Sequence, residues 1–355
     1  MTDDILFERD GSIATMTLNR PKALNALTLP MIMAMGPQLE EWASDDAVKA
    51  VVIQGAGDRA FCAGGDVPAL RKSIMVDNDG QAPSELSRTF FFEEYKVNHL
   101  IATYPKPYVA LLDGVTMGGG VGMSVYGSRR VATERLMLAM PETAIGLFPD
   151  VGGGWFLAHL PGETGVYLGL TGSRVHAADA MALGITTHHM ASERVAEMRE
   201  QLTAVTSARD IDEVLARFHR PAGIAPISEH RREIDRCFAG NTMEEIIGAL
   251  KASGSEFATK ALESLAPKSP SALKVSLEQI RRGRKARDLG EVLTMEYRMS
   301  QHFMAEHDFH EGVRAMLIDK DHSPQWKPAS LEEVSESDVA GYFEPIADGS
   351  ELTFG

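Results

Sequence analysis

The chain has 355 residues, of which 44% are hydrophobic and 24% charged, a balance that suits a large globular protein rather than a disordered one. Its formal charge of −15 disfavours nucleic acid as a partner, because phosphate-binding surfaces need clustered Lys and Arg. Two cysteines, Cys62 and Cys237, are too few for a disulfide framework. With no basic leader and no long apolar run, we expect a cytoplasmic protein without a membrane partner.

In chain order, the first predicted elements are a β-hairpin and a helix. Residues 5–9 and 13–18 predict two strands, and the Asp-Gly pair between them is a strong turn signal. Residues 28–42 repeat apolar side chains at helical spacing, although Pro37 predicts a kink or a split. Residues 51–55 form a short apolar run ending in glycine, which favours a buried strand.

The next stretch repeats this alternation. A polar segment, residues 71–83, leads into a predicted helix over 84–103. Residues 107–114 again form an apolar run ending in glycine, and residues 117–126 predict a helix that begins in glycines. Strands that alternate with helices in this way predict an α/β core built from repeated units.

Beyond this core the strand-like patterns stop. Ser269 followed by Pro270 is a typical helix start, with a hydroxyl cap and proline at the first helical position. Apolar side chains at helical spacing follow over residues 273–280. The sequence therefore predicts an α/β portion over 1–190 and a mainly helical C-terminal region over 191–355.

Three clusters rich in glycine and turn-forming residues are candidates for a functional site. They are residues 61–66 (FCAGGD), 117–122 (MGGGVG) and 140–154 (MPETAIGLFPDVGGG). Glycine lets a backbone approach a ligand, and a helix that begins in glycines presents unpaired N–H groups. Two such loops could direct two amides at one oxygen, which acyl transfer requires. The alternative is a pair of tight turns with close packing. Dinucleotide and phosphate-loop motifs do not fit the spacing.

In this order, the three clusters resemble the crotonase (enoyl-CoA hydratase/isomerase) superfamily, and the likeness covers nearly the whole chain, including residues 19–26 and 307–314. The resemblance implies a crotonase-like α/β spiral of ββα units with a mainly helical C-terminal region. The tail is similar to the branch that hydrolyses short branched 3-hydroxyacyl-CoA thioesters. That branch implies 3-hydroxyisobutyryl-CoA, an intermediate of valine breakdown, as the substrate.

Residue by residue, the resemblance places the oxyanion-hole amides at Gly65 and Gly119. It places the substrate-contacting acids at Glu94, Glu142 and Asp150, of which the last two are the expected catalytic residues. Glu142 would attack the thioester carbon or activate water as a general base. Asp150 would bind the substrate's hydroxyl group or assist proton transfer to the thiolate.

Two departures from the family pattern favour a hydrolase. Hydratases of the superfamily usually place a second catalytic glutamate where this chain has Gly122, and a glycine where it has Asp150. Two carboxylates in a partly dry site separate each other's pKa values, so that one stays ionised while the other donates a proton. The structural alternatives are that Glu142 caps a helix, that Asp150 caps a turn and that Glu94 is an exposed acid.

The CoA moiety needs cationic or backbone partners, and we expect them at Lys22, Cys62 and Ala63. No cofactor is expected besides the CoA of the substrate. The C-terminal histidines lack a metal-binding pattern, so no metal is expected. Analogy with the superfamily implies a homo-oligomer. Two alternatives stay open: an enoyl-CoA hydratase or isomerase that uses Glu142 alone, and a non-catalytic acyl-CoA binding protein.

Overall fold

The computed structural model describes residues 2–346 and 349–354. The chain divides into two compact units that interleave in sequence. The chain passes between the units several times. The predicted division into residues 1–190 and 191–355 stays a prediction. The first unit comprises Met1–Gly65, Lys96–Ala139 and Arg174–Ser228, and the second comprises Asp66–Tyr95, Met140–Ser173 and Glu229–Gly355.

The first unit contains the β-structure. Within the described residues, ten strands form a six-stranded sheet of order β1-β2-β3-β5-β7-β10 and a four-stranded sheet of order β4-β6-β8-β9. Neighbouring strands are parallel except in the β1–β2 hairpin and the β8–β9 pair. The strands are β1 (Ile5–Asp10), β2 (Ile13–Leu18), β3 (Ala50–Gly55), β4 (Ala60–Cys62), β5 (Tyr108–Leu112), β6 (Val115–Met117), β7 (Arg129–Thr133), β8 (Met137–Ala139), β9 (Val175–His176) and β10 (His188–Met190).

The two sheets are built from a repeated pair of strands. The pairs β3–β4, β5–β6 and β7–β8 each contribute one strand to the larger sheet and one to the smaller sheet. A helix follows the first two pairs, and a chain that repeats this pattern winds into a spiral of ββα units. This confirms the fold class that the resemblance implies. The repeat is visible in the sequence only as apolar runs ending in glycine.

Helices fill the rest of the chain. Short 3₁₀-helices cover Pro21–Ala23, Glu142–Ile145, Ser192–Arg194 and Leu331–Glu333, and a π-helix covers Arg314–Ile318. None of the described helices is both long enough and apolar enough to span a bilayer. The α-helices are α1 (Leu29–Ser44), α2 (Val67–Asn78), α3 (Glu85–Ala102), α4 (Gly119–Val125), α5 (Gly153–Phe156), α6 (Thr164–Thr171), α7 (Ala177–Ala182), α8 (Val195–Leu202), α9 (Ala208–Phe218), α10 (Ile227–Cys237), α11 (Met243–Ser253), α12 (Glu256–Leu265), α13 (Pro270–Gly283), α14 (Leu289–Met304), α15 (His307–Val313) and α16 (Glu336–Gly341).

A hydrophobic core in the first unit packs the larger sheet against α8 and α9. It joins strand residues such as Val52 and Leu111 to Met198 of α8 and Leu215 of α9, all nearly inaccessible to solvent. Burying one side chain of this size contributes about 1.5–3 kcal/mol to the free energy of unfolding. The hydrophobic effect therefore explains why the central strands are continuous apolar runs rather than alternating ones.

In the second unit, α13 begins where the sequence predicts. The hydroxyl of Ser269 accepts a hydrogen bond of 3.1 Å from the amide of Ala272, and Pro270 is the first helical residue. The apolar stripe is buried, with Leu273, Leu277 and Ile280 at most 3% exposed. The hydroxyl cap and the buried apolar stripe together confirm the predicted start and the buried face of α13.

The predicted split at Pro37 is wrong, because α1 continues through it from Leu29 to Ser44. A proline inside a helix leaves the carbonyl four residues earlier without its usual donor. Here that carbonyl belongs to Met33, whose side chain is 54% exposed, and Pro37 is exposed as well. The affected turn therefore lies on the solvent side of the helix, where water can replace the lost donor.

The polar segment over 71–83, for which no helix was predicted, is helical over most of its length. Residues 67–78 form α2, and only Leu70 and Ile74 of this helix are buried. So narrow an apolar stripe gives little periodic signal. Pro68 in the first turn, directly after an aspartate and a valine, was the available indication of a helix start.

Candidate functional site

Two glycine-rich loops of the first unit lie against each other. One contains Gly64 and Gly65 after β4, and the other contains Gly118 and Gly119 between β6 and α4. A Cβ atom placed on Gly64 would lie 3.4 Å from the carbonyl oxygen of Met117 and 3.7 Å from the amide nitrogen of Gly119. Gly64 also has a φ of +108°, which other residues rarely adopt. These distances are ordinary van der Waals contacts, so it is the backbone conformation that favours glycine at position 64.

The amides of Gly65 and Gly119 point away from the local secondary structure. Leu27 donates its N–H to the carbonyl of Gly64 at 2.8 Å, in a β-bridge that pairs Leu27 with Gly65. The carbonyl of Gly64 and the N–H of Gly65 belong to the same trans peptide and point in opposite directions, so the Gly65 amide faces away from Leu27. Gly119 is the first residue of α4, where amides have no partner inside the helix. This geometry suits the predicted oxyanion hole, whose role stays a prediction.

The residues predicted to bind CoA differ in accessibility. Lys22 is exposed in the first 3₁₀-helix, and Ala63 is half-buried with its amide donating to the carbonyl of Leu24 at 3.0 Å. Cys62 is fully buried, and its thiol lies 3.7 Å from the carbonyl oxygen of Gly64. A contact between CoA and Cys62 would therefore have to use the backbone, whereas Lys22 presents its side chain to solvent.

The three predicted acids lie together in the second unit. Glu94 is on α3, Glu142 begins the second 3₁₀-helix, and Asp150 lies in the loop before α5. They are only 1%, 5% and 6% exposed, respectively. Glu94 is therefore not the exposed acid of the structural alternative. We call these three residues the acid cluster.

The segment that carries Glu142 is fixed by backbone and hydroxyl contacts within the second unit. The hydroxyl of Thr143 donates to the carbonyl of Leu170 at 3.1 Å, and the amide of Ser269 donates to the carbonyl of Thr143 at 3.2 Å. Gly146 ends the 3₁₀-helix with a φ of +65°. The position of Glu142 is thus tied to α6 and to the capped start of α13.

Burial dominates the acidity of the acid cluster. It raises the pKa of Asp150 to about 7, although the hydroxyl of Tyr95 donates to Asp150 Oδ2 at 3.2 Å and opposes the rise. Burial, and next the charge of Asp150, raise the pKa of both Glu94 and Glu142 well above the ordinary value. Lys268 acts in the opposite sense on Glu142. Asp150 therefore exchanges its proton near pH 7, and the pKa values of both glutamates lie above their ordinary range.

Two carboxylate oxygens of the acid cluster are available to a ligand. Within residues 2–346 and 349–354, Glu94 Oε1 and Glu142 Oε2 are buried without a hydrogen-bond partner. Buried polar atoms are otherwise almost always paired, so an unpaired pair of acceptors indicates a place for a substrate or water. This arrangement can accept a proton from a bound hydroxyl or water molecule.

Sequence reasoning missed four residues around the acid cluster: Tyr95, Lys268, Gln279 and Glu296. Tyr95 directly follows Glu94, but its contact with Asp150 depends on the pairing of α3 with a loop 55 residues away. Glu296 accepts hydrogen bonds from amides 142 and 144 residues earlier in the chain. No local pattern reveals contacts at such separations. The only signal was a glutamate at an apolar position of α14.

The raised pKa values predict how hydrolysis by this site would depend on pH. A group that acts as base or nucleophile must be ionised, and a raised pKa delays ionisation to higher pH. We therefore expect kcat/KM to rise with pH as Glu142 ionises, above the ordinary carboxylate range, and to fall near pH 7 as Asp150 loses the proton that it would donate to the thiolate. The two limbs belong to the coupled cluster rather than to single residues. Initial rates from about pH 5 to about pH 9 would measure both limbs. An acid limb in the ordinary carboxylate range, near pH 4, would contradict the burial argument.

Sheets built from paired strands, two glycine loops and a buried acid cluster define a crotonase-fold protein. The chain matches the enoyl-CoA hydratase/isomerase family over residues 13–343 and belongs to that family. Among curated relatives, mitochondrial 3-hydroxyisobutyryl-CoA hydrolase of Homo sapiens is 47% identical over 359 residues, which cover 99% of this chain and 91% of the relative. The protein of the same name from Gallus gallus is also 47% identical, over 97% of this chain and 90% of the relative.

Solved structures of the same fold include enzymes with other names. A carnitinyl-CoA dehydratase from Mycobacterium thermoresistibile aligns with a TM-score of 0.92 and 41% identity over 99% of both chains. An enoyl-CoA hydratase from Rhodobacter sphaeroides aligns with a TM-score of 0.90 and 38% identity, over 99% of this chain and 100% of the other. The fold is therefore shared between proteins named for hydrolysis and proteins named for hydration or dehydration.

Proposed function

We propose that this chain hydrolyses 3-hydroxyisobutyryl-CoA to 3-hydroxyisobutyrate and CoA, a step of valine breakdown. The observation that carries the proposal is the acid cluster: Glu94, Glu142 and Asp150 are buried together, and the pKa of Asp150 is about 7. Proteins named for this hydrolysis are 47% identical to the chain over nearly its whole length. A hydrolysis needs a carboxylate to activate water and an acid to protonate the leaving thiolate, and the cluster can supply both.

In the proposed reaction, the thioester oxygen accepts hydrogen bonds from the amides of Gly65 and Gly119. The ionised carboxylate of Glu142 takes a proton from water, and the water oxygen bonds to the thioester carbon. Negative charge then develops on the thioester oxygen, where two fixed amides stabilise it. Attack by Glu142 itself, through an enzyme-bound anhydride, is the alternative route to the same products.

Collapse of the tetrahedral intermediate breaks the carbon–sulfur bond and releases CoA thiolate. Asp150 is partly protonated near neutral pH and can donate the proton that the thiolate accepts. The proton that Glu142 removed from water replaces, through solvent, the proton that Asp150 donated, so both carboxyl groups are restored and the net reaction cleaves the carbon–sulfur bond with one water. The unpaired oxygen of Glu94 can accept a hydrogen bond from the hydroxyl group of the substrate.

A hydratase or isomerase is the second candidate, and the names of the two aligned structures favour it. Against it stands Gly122, which is buried in α4 at the position where hydratases usually carry a second catalytic glutamate. An alkene would then face one carboxylate there rather than two. A non-catalytic acyl-CoA binding protein remains a third possibility. The expected homo-oligomer and the cytoplasmic location stay predictions.

A panel of acyl-CoA esters separates these candidates. We expect thiol release to be fastest with 3-hydroxyisobutyryl-CoA, and slower with unsubstituted short esters that lack the hydroxyl group. A thiol reagent measures hydrolysis, and the absorbance of a crotonyl-type ester measures hydration in the same buffer. Loss of that absorbance without thiol release would favour the hydratase. Tight binding without turnover of any ester would favour the binding protein.

A further inference from the structure

The turn that carries Asp150 has a backbone that its own sequence does not favour. Val151 and Gly152 have φ values of +54° and +81°, so two consecutive residues are left-handed. Glycine adopts this region freely, but a β-branched residue such as valine does so rarely. Val151 is also fully buried. Such a conformation persists only where the surrounding structure holds it in place.

Two side chains from the C-terminal helices hold this turn. Glu296 of α14 accepts hydrogen bonds from the amide of Gly152 to Oε2, at 2.6 Å, and from the amide of Gly154 to Oε1, at 2.8 Å. Gln279 of α13 donates from Nε2 to the carbonyl of Pro149 and to Glu296 Oε1, both at 2.8 Å. Both side chains are fully buried. Asp150 is therefore tethered on its N-terminal side and on its C-terminal side.

We propose that Glu296 and Gln279 are positioning residues that fix the orientation of Asp150. The proposal rests on the proposed function, in which Asp150 contacts the reacting groups. We call the two side chains the turn clamp. This role accounts for a feature that packing alone leaves unexplained. The carboxylate of Glu296 is fully buried, where an apolar side chain would lose less hydration free energy.

Glu296 and Asp150 do not ionise together. Burial and, to a lesser extent, the charge of Asp150 raise the pKa of Glu296 to about 8, although hydrogen bonds from the amides of Gly154 and Gly152 oppose the rise. Asp150, with a pKa of about 7, therefore ionises first. The other titratable groups that face Asp150 are Tyr95 and Glu94 of α3 and Glu142 of the 3₁₀-helix. Glu296 therefore acts on Asp150 through the position of the turn, which sets the burial of Asp150 and its hydrogen bond from Tyr95.

The first test replaces Glu296 with Gln, which keeps the shape but offers one acceptor oxygen instead of two. We expect kcat for thiol release to fall by about 10²-fold, with KM changed little, because Asp150 is misplaced rather than lost. We also expect a shift in the limb of the pH profile that reports Asp150, because a displaced Asp150 changes its burial and its hydrogen bond from Tyr95. Glu291→Gln, an exposed change on the same helix, should match the parent in both. An unshifted limb with parent kcat would overturn the proposal.

The second test uses the strained residue itself. Val151→Gly makes the left-handed conformation favourable without help from the turn clamp. If the clamp acts by holding the turn, Glu296→Gln should lower kcat by only about 10-fold in the Val151→Gly background. This is a tenth of the loss in kcat that we expect in the parent. Equal costs in both backgrounds would mean that Glu296 does not act through the turn. Melting temperatures of all variants would separate this coupling from general destabilisation.

Two further measurements keep the proposal decidable. If Glu296→Gln does not fold, Gln279→Met is tested in the same assays. Methionine keeps the side-chain volume but removes the donor to the carbonyl of Pro149. A parent-like rate and pH profile for Gln279→Met would then reject the clamp. If the parent releases no thiol from any ester, the proposed function fails by itself. The clamp is then tested by carbon-13 titration of the Asp150 carboxyl in parent and variant, where an unchanged pKa would reject it.

Discussion

Replacing Glu142 with Gln is expected to lower kcat for thiol release by at least about 10³-fold while leaving the affinity for the CoA ester within a few-fold. Glutamine is nearly isosteric with glutamate but can neither accept the proton of water nor attack the thioester carbon. Because Glu142 is buried with one carboxylate oxygen unpaired, the substitution removes a reactive group rather than a structural contact. Steady-state kinetics and calorimetric titration with a substrate analogue measure the two effects.

The matched control is Glu142→Asp, which keeps a carboxylate but retracts it by one methylene group. We expect this variant to retain more activity than Glu142→Gln, because a withdrawn base still functions through a longer contact or a bridging water. Near-parental activity of Glu142→Gln would end the assignment of Glu142. A single turnover of the parent in heavy-oxygen water separates the two routes, since only the anhydride route leaves label in the Glu142 carboxylate.

Replacing Gly119 with Pro is expected to lower kcat by about 10²–10³-fold, the usual cost of removing one oxyanion donor. Gly119 is the first residue of α4, and proline is well tolerated at this position of a helix. Proline also lacks the N–H group, so the substitution deletes the donor with little change to the helix. Kinetics of thiol release, with circular dichroism as a check on folding, would measure the effect.

Gly119→Ala is the control, because alanine adds a methyl group at the same position but keeps the backbone N–H. We expect its kcat to stay within about 10-fold of the parent, so that the Pro and Ala variants differ by the contribution of the N–H group alone. Equal rates for the two variants would show that the Gly119 amide does not contact the thioester oxygen. The oxyanion hole would then need a different pair of donors.

Local signals in the sequence predicted those elements whose cause is local. The β1–β2 hairpin follows from one Asp-Gly turn between two strand patterns, and α13 follows from a hydroxyl cap and a proline. The element α2 was missed because only Leu70 and Ile74 of it are buried, which leaves little periodicity. Pro37 was misjudged because its effect depends on which side of α1 faces solvent, and this is a property of the packed protein.

The same contrast between local signals and distant contacts applies to the candidate site. Glycine spacing and the resemblance indicated the loops of Gly65 and Gly119 and all three acids, because those residues lie in short, recognisable segments. The groups that tune the acids come from distant helices: Tyr95 acts on Asp150 across 55 residues, and Glu296 acts on the following turn across 142 or more. Acidity near neutral pH likewise results from burial, which a sequence pattern does not report.

The most direct measurement of the central claim is a crystal structure of the Glu142→Gln variant with 3-hydroxyisobutyryl-CoA bound. We predict that the thioester oxygen lies about 2.7–3.1 Å from the amide nitrogens of both Gly65 and Gly119, with the side chain at position 142 facing the thioester carbon. An ester oxygen that contacts neither amide, or a side chain at 142 directed away from the carbon, would contradict the account.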